Sequence, residues 1–277
     1  MSRNPVLEND FLRIELDLDM GGRVISFYDK KREFEQLWYD AARVPMNPAL
    51  DYDGNFAGGM DELLPNDLPE RGYPDHGELW RLPLECTASE NTLTVSGTLP
   101  VSKLAYSRTM HLDGCSLISD CCITNTAQDP VDFLWKLHAA LAIAPGDKFI
   151  APYNCVQAAD PGDWSKAQDC MPRKWQNPYV IEMFDGKSDF FYLTDPTDCE
   201  LVLERTNGSR FICSFDSRVF PLSWVFASFG RLNDSRTLIM EPCTSYPISL
   251  DEAAGKGVCA RLGVNESIKT QIRWIVK

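Results

Sequence analysis

The chain has 277 residues, 44% hydrophobic and 24% charged, which gives enough apolar mass for a sizeable core and excludes disorder as the dominant state. Forty acidic against 27 basic residues leave a net charge of -13, a field that repels phosphate backbones and anionic lipid, so neither nucleic acid nor a membrane is an expected partner. The opening residues lack an apolar signal-peptide core, and no run reaches the ~18 apolar residues of a membrane helix, so the expected address is cytoplasmic.

From Phe11 to Met20 apolar and polar residues alternate, with Leu12, Ile14, Leu16, Leu18 and Met20 on one side, the pattern of a half-buried strand. Gly21 and Gly22 turn the chain into a second strand over Arg23 to Tyr28, completing a hairpin. Phe34, Leu37, Trp38 and Ala41 fit a helical stripe, and a strand beginning at Gln36 fits nearly as well. Thr92 to Leu99 alternates again. Arg108 to Leu112 runs into Asp113 and Gly114 and out along Ser116 to Thr124, a hairpin signal because Asp-Gly tolerates the positive φ of a tight turn.

The Pro-, Asp-, Asn- and Trp-rich stretch from Asp147 to Pro178 predicts long ordered loops. Short strands follow over 190–193, 201–205, 211–215, 222–229, 237–240 and 271–276. One helix interrupts them, opened by Ser249 with Glu252 in capping-box spacing and closed at Gly255. Many short strands, few helices, no linker and no repeat predict one all-β domain over residues 1–277, a sandwich or barrel. Ten cysteines, scattered and without C-x-x-C spacing, read as reduced small hydrophobes, so neither a disulfide framework nor structural zinc is expected.

Histidine is the side chain best suited to proton transfer near neutrality, and there are three. His111, just before the Asp113-Gly114 turn, reads as a solvated hairpin residue. His138 shares a strand face with Leu134, Lys136, Ala140 and Ala142, opposite the wholly apolar face of Phe133, Trp135, Leu137, Ala139, Leu141 and Ile143. Polar groups beside small alanines suggest the lining of a cavity, while a hydrogen-bonded core histidine fits the same pattern. His76 lies in a loop with Asp75, Glu78 and Trp80, either a polar and aromatic ligand surface or an ordinary loop.

Glu241 ends the apolar run Thr237 to Met240 and precedes Pro242, which biases it toward extended backbone. A carboxylate beside apolar groups becomes a better base, although a strand-end residue reaching solvent reads the same way. Asp51, Asp53, Asn55 and Glu62 match calcium-loop spacing, but Phe56 stands where the turn glycine is required, so no metal is expected there. A zinc site on His76, His138 and Glu241 lacks any short-range ligand pair.

Taken together in chain order, these segments resemble the aldose 1-epimerase (galactose mutarotase-like) superfamily over nearly the whole length. The run Ile14 to Lys30 is similar to its first hairpin, and Gly58 to Pro65 to its Gly-Gly segment. Pro74 to Trp80 is similar to its His-Gly motif, Leu137-His138 to its catalytic-histidine strand, and Leu238 to Thr244 to its catalytic-glutamate strand end. Ser188 to Leu193 is a shorter match to a segment with a sugar-binding aspartate. The Asn-rich run before His-Gly and the His-x-Tyr-Phe-Asn strand of galactose mutarotases are absent, which speaks against galactose itself.

The resemblance implies a super-sandwich of antiparallel sheets with very few short helices. It also implies an isomerase that interconverts the α and β anomers of a free sugar by ring opening, without a cofactor. His138 would be the general acid and Glu241 the general base. His76, Asp61, Glu62 and Asp189 would bind sugar hydroxyls, Trp80 would stack on the ring, and Arg81 would be a further substrate contact. The alternatives on the same fold are a non-catalytic carbohydrate-binding or sensor protein and a hexose-6-phosphate 1-epimerase. A small-molecule sugar is the expected partner, and the protein is expected to be a monomer or homodimer.

Overall fold

The computed structural model describes residues 4–44, 46–159 and 173–277. Strands form where the sequence alternates: Leu12–Asp17 buries Leu12, Ile14 and Leu16 and leaves Arg13, Glu15 and Asp17 half-buried. Gly21 and Gly22 turn it into Arg23–Asp29. Among the described residues the strands make two large antiparallel sheets and a two-stranded ribbon.

The larger sheet runs, edge to edge, through Val6–Glu8, Leu12–Asp17, Arg23–Asp29, Gly59–Leu63, Lys136–Ala142, Arg236–Cys243, Leu222–Phe229, Ser188–Pro196, Tyr153–Ala159 and Arg173–Lys174. The smaller sheet includes the long hairpin Leu104–Asp113 and Ser116–Asn125, with Ser267–Val276 and Arg210–Ser214 alongside. One core lies between them: Leu137, Ala139, Leu141, Leu238 and Met240 of the larger sheet share it with Cys121, Ile123, Phe211 and Trp274 of the smaller. Phe27 meets Phe211 edge-on across the gap, ring centroids 5.1 Å apart.

The structure shows the all-β fold class, and four local expectations change. Residues 34–40 are extended rather than helical: Phe34–Glu35 pairs with the neighbouring strand, Leu37 and Tyr39 make isolated bridges, and only Ala41–Arg43 forms a short 3-10 turn. Part of the stretch expected as loops is strand, Lys148–Ile150 and Tyr153–Ala159, because both segments find partners in the sheets; residues 160–172 lie outside the described residues. The Asp113-Gly114 turn centres on Gly114 and Cys115, with Asp113 still paired to Ser116. The late helix runs Leu250–Lys256 from the Ser249 cap, whose hydroxyl accepts from Glu252 N–H. It ends at Gly257 rather than Gly255, since Gly257 takes the left-handed conformation at φ 69° that closes a helix without a Cβ penalty.

No disulfide joins any two of the described cysteines; Cys170 lies outside the described residues. No helix among the described residues is long and apolar enough to cross a membrane.

Candidate functional site

The site is built on one row of cross-strand neighbours on the outer face of the larger sheet. His138 pairs with Asp61 on Gly59–Leu63. On its other side, the pairs Lys136 with Cys243 and Ala139 with Met240 bracket His138 and Glu241, so the register sets these two opposite each other. Glu241 pairs with Trp224, and Trp224 with Tyr192. Opposed residues of an antiparallel ladder point to the same face with Cβ atoms about 4.5–5.5 Å apart, so Asp61, His138, Glu241, Trp224 and Tyr192 form a file across one face. Residues far apart in the chain are thereby brought together by ladder geometry alone.

A short helix and a loop cover this row. Tyr52–Asn55 is a single helical turn capped by the Asp51 carboxylate, which accepts from Gly54 N–H at 2.8 Å. Asp67 and Asp75–His76 come from the loop after Gly59–Leu63. His76 holds φ 55°, a costly conformation for a residue with a Cβ, and Gly77 follows at φ 81°. A Cβ on Gly77 would sit 2.3 Å from the Leu64 carbonyl oxygen, so only glycine lets the loop approach the sheet this closely. The His-Gly pair is thus a backbone requirement that delivers the imidazole over the row. Its ring stacks on Tyr52, with centroids 4.3 Å apart and an interplanar angle of 11°.

Between them lies a cavity of about 390 Å³ lined by His76, His138 and Glu241 together with Tyr52, Phe56, Asp67, Lys136, Ser188, Phe190 and Trp224; Asp51, Asp53, Asp75 and Arg231 contribute to the same wall. Its floor is strongly charged. Lys136 Nζ donates to Asp67 Oδ2 at 2.6 Å and stands 2.9 Å from Glu241 Oε2 in ion-pair contact, outside hydrogen-bonding alignment. The ammonium also lies 4.1 Å from the Trp224 ring centroid, a cation–π contact. All three side chains of this ion cluster are at most 4% exposed.

Burial works against the Lys136 charge, but Asp67 and Glu241 outweigh it and hold the ammonium above its usual range. Burial pushes the Glu241 carboxyl up, opposed by Lys136. Burial, reinforced by the Lys136 charge, holds His138 well below the ordinary histidine value of 6.5. For His76 burial also disfavours the cation, yet Asp67 and Asp75 prevail and its pKa rises.

The other expected substrate contacts lie elsewhere. Asp61 is beneath the lining, accepting from Tyr52 Oη at 2.8 Å and from Arg23 Nε. Glu62 projects from the opposite face of the same strand into the sandwich interior, where it accepts from Arg108 Nη1 at 3.0 Å and Trp135 Nε1 at 2.8 Å. The period-two alternation of a strand prevents both adjacent carboxylates from facing the cavity. Trp80 is 2% exposed, donates to the Asp75 carbonyl and packs edge-on against Tyr52, so Tyr52 is the ring that reaches the cavity. Arg81 is exposed and lies over Trp80. Ser188 and Phe190 face the cavity, which turns Asp189 away toward Tyr179 Oη.

His111 is half-buried on the other sheet, paired with Thr92 and Ile118. The calcium-loop spacing has a local explanation: Asp51 caps the helical turn and the Asn55 amide donates to the carbonyls of Asn47, Leu50 and Asp51. Among the described residues no group of three His, Cys, Asp or Glu is placed to hold a metal ion.

Three functional-site residues were not singled out from the sequence: Tyr52, Asp67 and Lys136. For Lys136 a signal was available, because a lysine two residues before His138 must share its face. Nothing local marks Asp67 as its partner.

No family model and no curated protein matches this chain. Solved structures do match over essentially its whole length. The Slr1438 protein of Synechocystis sp. PCC 6803 superposes with a TM-score of 0.79 at 16% identity, covering 100% of this chain and 96% of that one. A proposed aldose 1-epimerase from Escherichia coli K12 gives 0.77 at 15%, covering 100% and 99%. A galactose mutarotase-like protein from Lactobacillus casei ATCC 334 gives 0.72 at 12%, covering 99% and 100%. At these identities the likeness shows the fold, which is that of galactose mutarotase-like proteins.

Proposed function

We propose that the cavity binds a free aldose and interconverts its α and β anomers. The observation that carries this reading is the register-enforced opposition of an acid–base pair, His138 and Glu241, on the floor of one cavity in a galactose mutarotase-like fold. Glu241 takes the proton from the anomeric hydroxyl while imidazolium His138 gives one to the ring oxygen. The C1–O5 bond breaks and C1 becomes an aldehyde. Rotation about C1–C2 and re-closure, with both protons returned, gives the other anomer. One base and one acid suffice, so the reaction draws on no cofactor.

The volume suits a monosaccharide, lying within the roughly 300–1,000 Å³ of small-molecule sites. Five carboxylates, from Asp51, Asp53, Asp67, Asp75 and Glu241, line it against Lys136, already engaged by two of them, and the exposed Arg231. That balance favours an uncharged sugar over a phosphorylated one. A polarimetric screen of free and 6-phosphorylated aldoses tests the reading: at least one free aldose should equilibrate faster than in buffer, and the phosphates more slowly than their parents. If sugars bind but none equilibrates faster, the protein is a carbohydrate-binding module.

The rate should follow a bell in pH. Activity is lost on the acid side as Glu241 is protonated, and on the alkaline side as His138 gives up its proton. Burial raises the first and lowers the second, so the limbs approach each other and the maximum falls on the acid side of neutrality. A rate that stays flat up to about pH 8 would place His138 outside the acid's role.

A further inference from the structure

Tyr52 occupies a junction that the reaction scheme above does not use. Its hydroxyl donates to Asp61 Oδ2 at 2.8 Å and lies 3.2 Å from His138 Nδ1. Asp61 receives Arg23 Nε on its other oxygen, and both side chains of that ion pair are 1–2% exposed. Arginine keeps its proton at any working pH, so the carboxylate paired with it acts as an acceptor only. A phenol has one proton, and here it is given to Asp61. The contact with His138 must then be supplied from the imidazole, with Nδ1–H donating to the phenol oxygen. A neutral imidazole carries one N–H, so Nε2 is bare, and it is the nitrogen left for the cavity that His138 lines.

We infer that Tyr52, braced by Asp61 and Arg23, is a positioning residue that fixes His138 as the Nδ1–H tautomer, so that Nε2 alone exchanges protons with the bound sugar. The kinetic consequence rests on the anomer-exchange reading; the tautomer does not. In the acid form Nε2 carries the proton destined for the ring oxygen, and after transfer Nδ1 keeps its own on Tyr52. The ring therefore returns to the same state each turnover and never presents the wrong nitrogen. The surroundings favour this neutral resting form, since burial and the nearby Lys136 charge both disfavour the cation. The brace is rigid: Asp61 is the ladder partner of His138, and Tyr52 N–H is tied to Asp75 Oδ2 at 2.9 Å.

The test is long-range proton–nitrogen correlation NMR on ligand-free protein labelled with ¹⁵N-histidine, with the three imidazoles assigned by H76N and H111N. His138 should show a protonated Nδ1 and a bare Nε2. Tyr52→Phe keeps the ring that stacks on His76 and removes the oxygen, so His138 should shift toward the Nε2–H tautomer. The same variant should lower kcat on the order of 10-fold or more with KM little changed, as expected when an imidazole loses its tautomer control. An Nε2–H tautomer in the wild type, or an unchanged tautomer in Y52F, overturns the inference whether or not any sugar exchanges. The expected tautomers in a protein that exchanges no sugar uphold the positioning role and remove only the anomer-exchange reading.

Discussion

Replacing Glu241 with Gln should slow anomer exchange on the order of 100-fold or more while changing sugar affinity little, because it removes the base and keeps its size. Lys136 retains Asp67 at 2.6 Å in this variant, so its charge stays paired and the floor of the cavity stays in place. His138→Asn should cost a similar factor, since it removes the partner acid. His76→Asn should act mainly on affinity, because His76 belongs to the covering loop and reaches the cavity from above the row. His111→Asn, on the other sheet, should change nothing. Steady-state exchange rates over a range of sugar concentrations separate these effects, and an E241Q rate within a few-fold of wild type would remove Glu241 from the chemistry.

Lys136→Met should destabilise the fold by about 3–5 kcal/mol, the usual cost of removing one partner of a buried ion pair. The cation sits between Asp67 and Glu241 with all three side chains nearly inaccessible, and methionine leaves two carboxylates close together without a counter-charge. The unfolded chain solvates both carboxylates, so the penalty falls on the folded state alone. Adding Asp67→Asn to Lys136→Met should restore part of the loss by removing one stranded charge. Urea denaturation at neutral pH measures this; a loss under about 1 kcal/mol would mean the pair is as well screened as a surface salt bridge.

Alternation made most of the fold legible in the sequence. The strand Lys136–Ala142 carries its two faces in plain view, and burying Leu137, Ala139 and Leu141 between the sheets leaves His138 on the outer side. Glu241 was marked by its place at the end of an apolar run before Pro242, and His76 by the glycine after it. What the sequence hid was partnership across long separations. Asp67 meets Lys136 because a covering loop folds over the sheet, and Tyr52 meets His138 because a single helical turn lands on the row. In a string rich in Asp and Asn, that turn imitates a calcium loop.

Asp61 and Glu62 show a second limit. The resemblance proposed both as sugar ligands, although adjacent residues of a strand point to opposite faces. Asp61 braces Tyr52 from beneath, and Glu62 joins the two sheets through Arg108. Trp80 invited a stacking role by its type and its neighbourhood; its burial beneath Tyr52 gives it a supporting one.

The most direct test of the central claim is two-dimensional exchange NMR on the anomeric protons of a panel of free aldoses, with wild-type protein and with E241Q at matched, verified folding. Cross-peaks between α and β signals should build up faster than in buffer for at least one aldose with wild-type protein, and return to the buffer rate with E241Q. Equal build-up with and without wild-type protein for every aldose, or acceleration that persists undiminished in E241Q, would contradict the account.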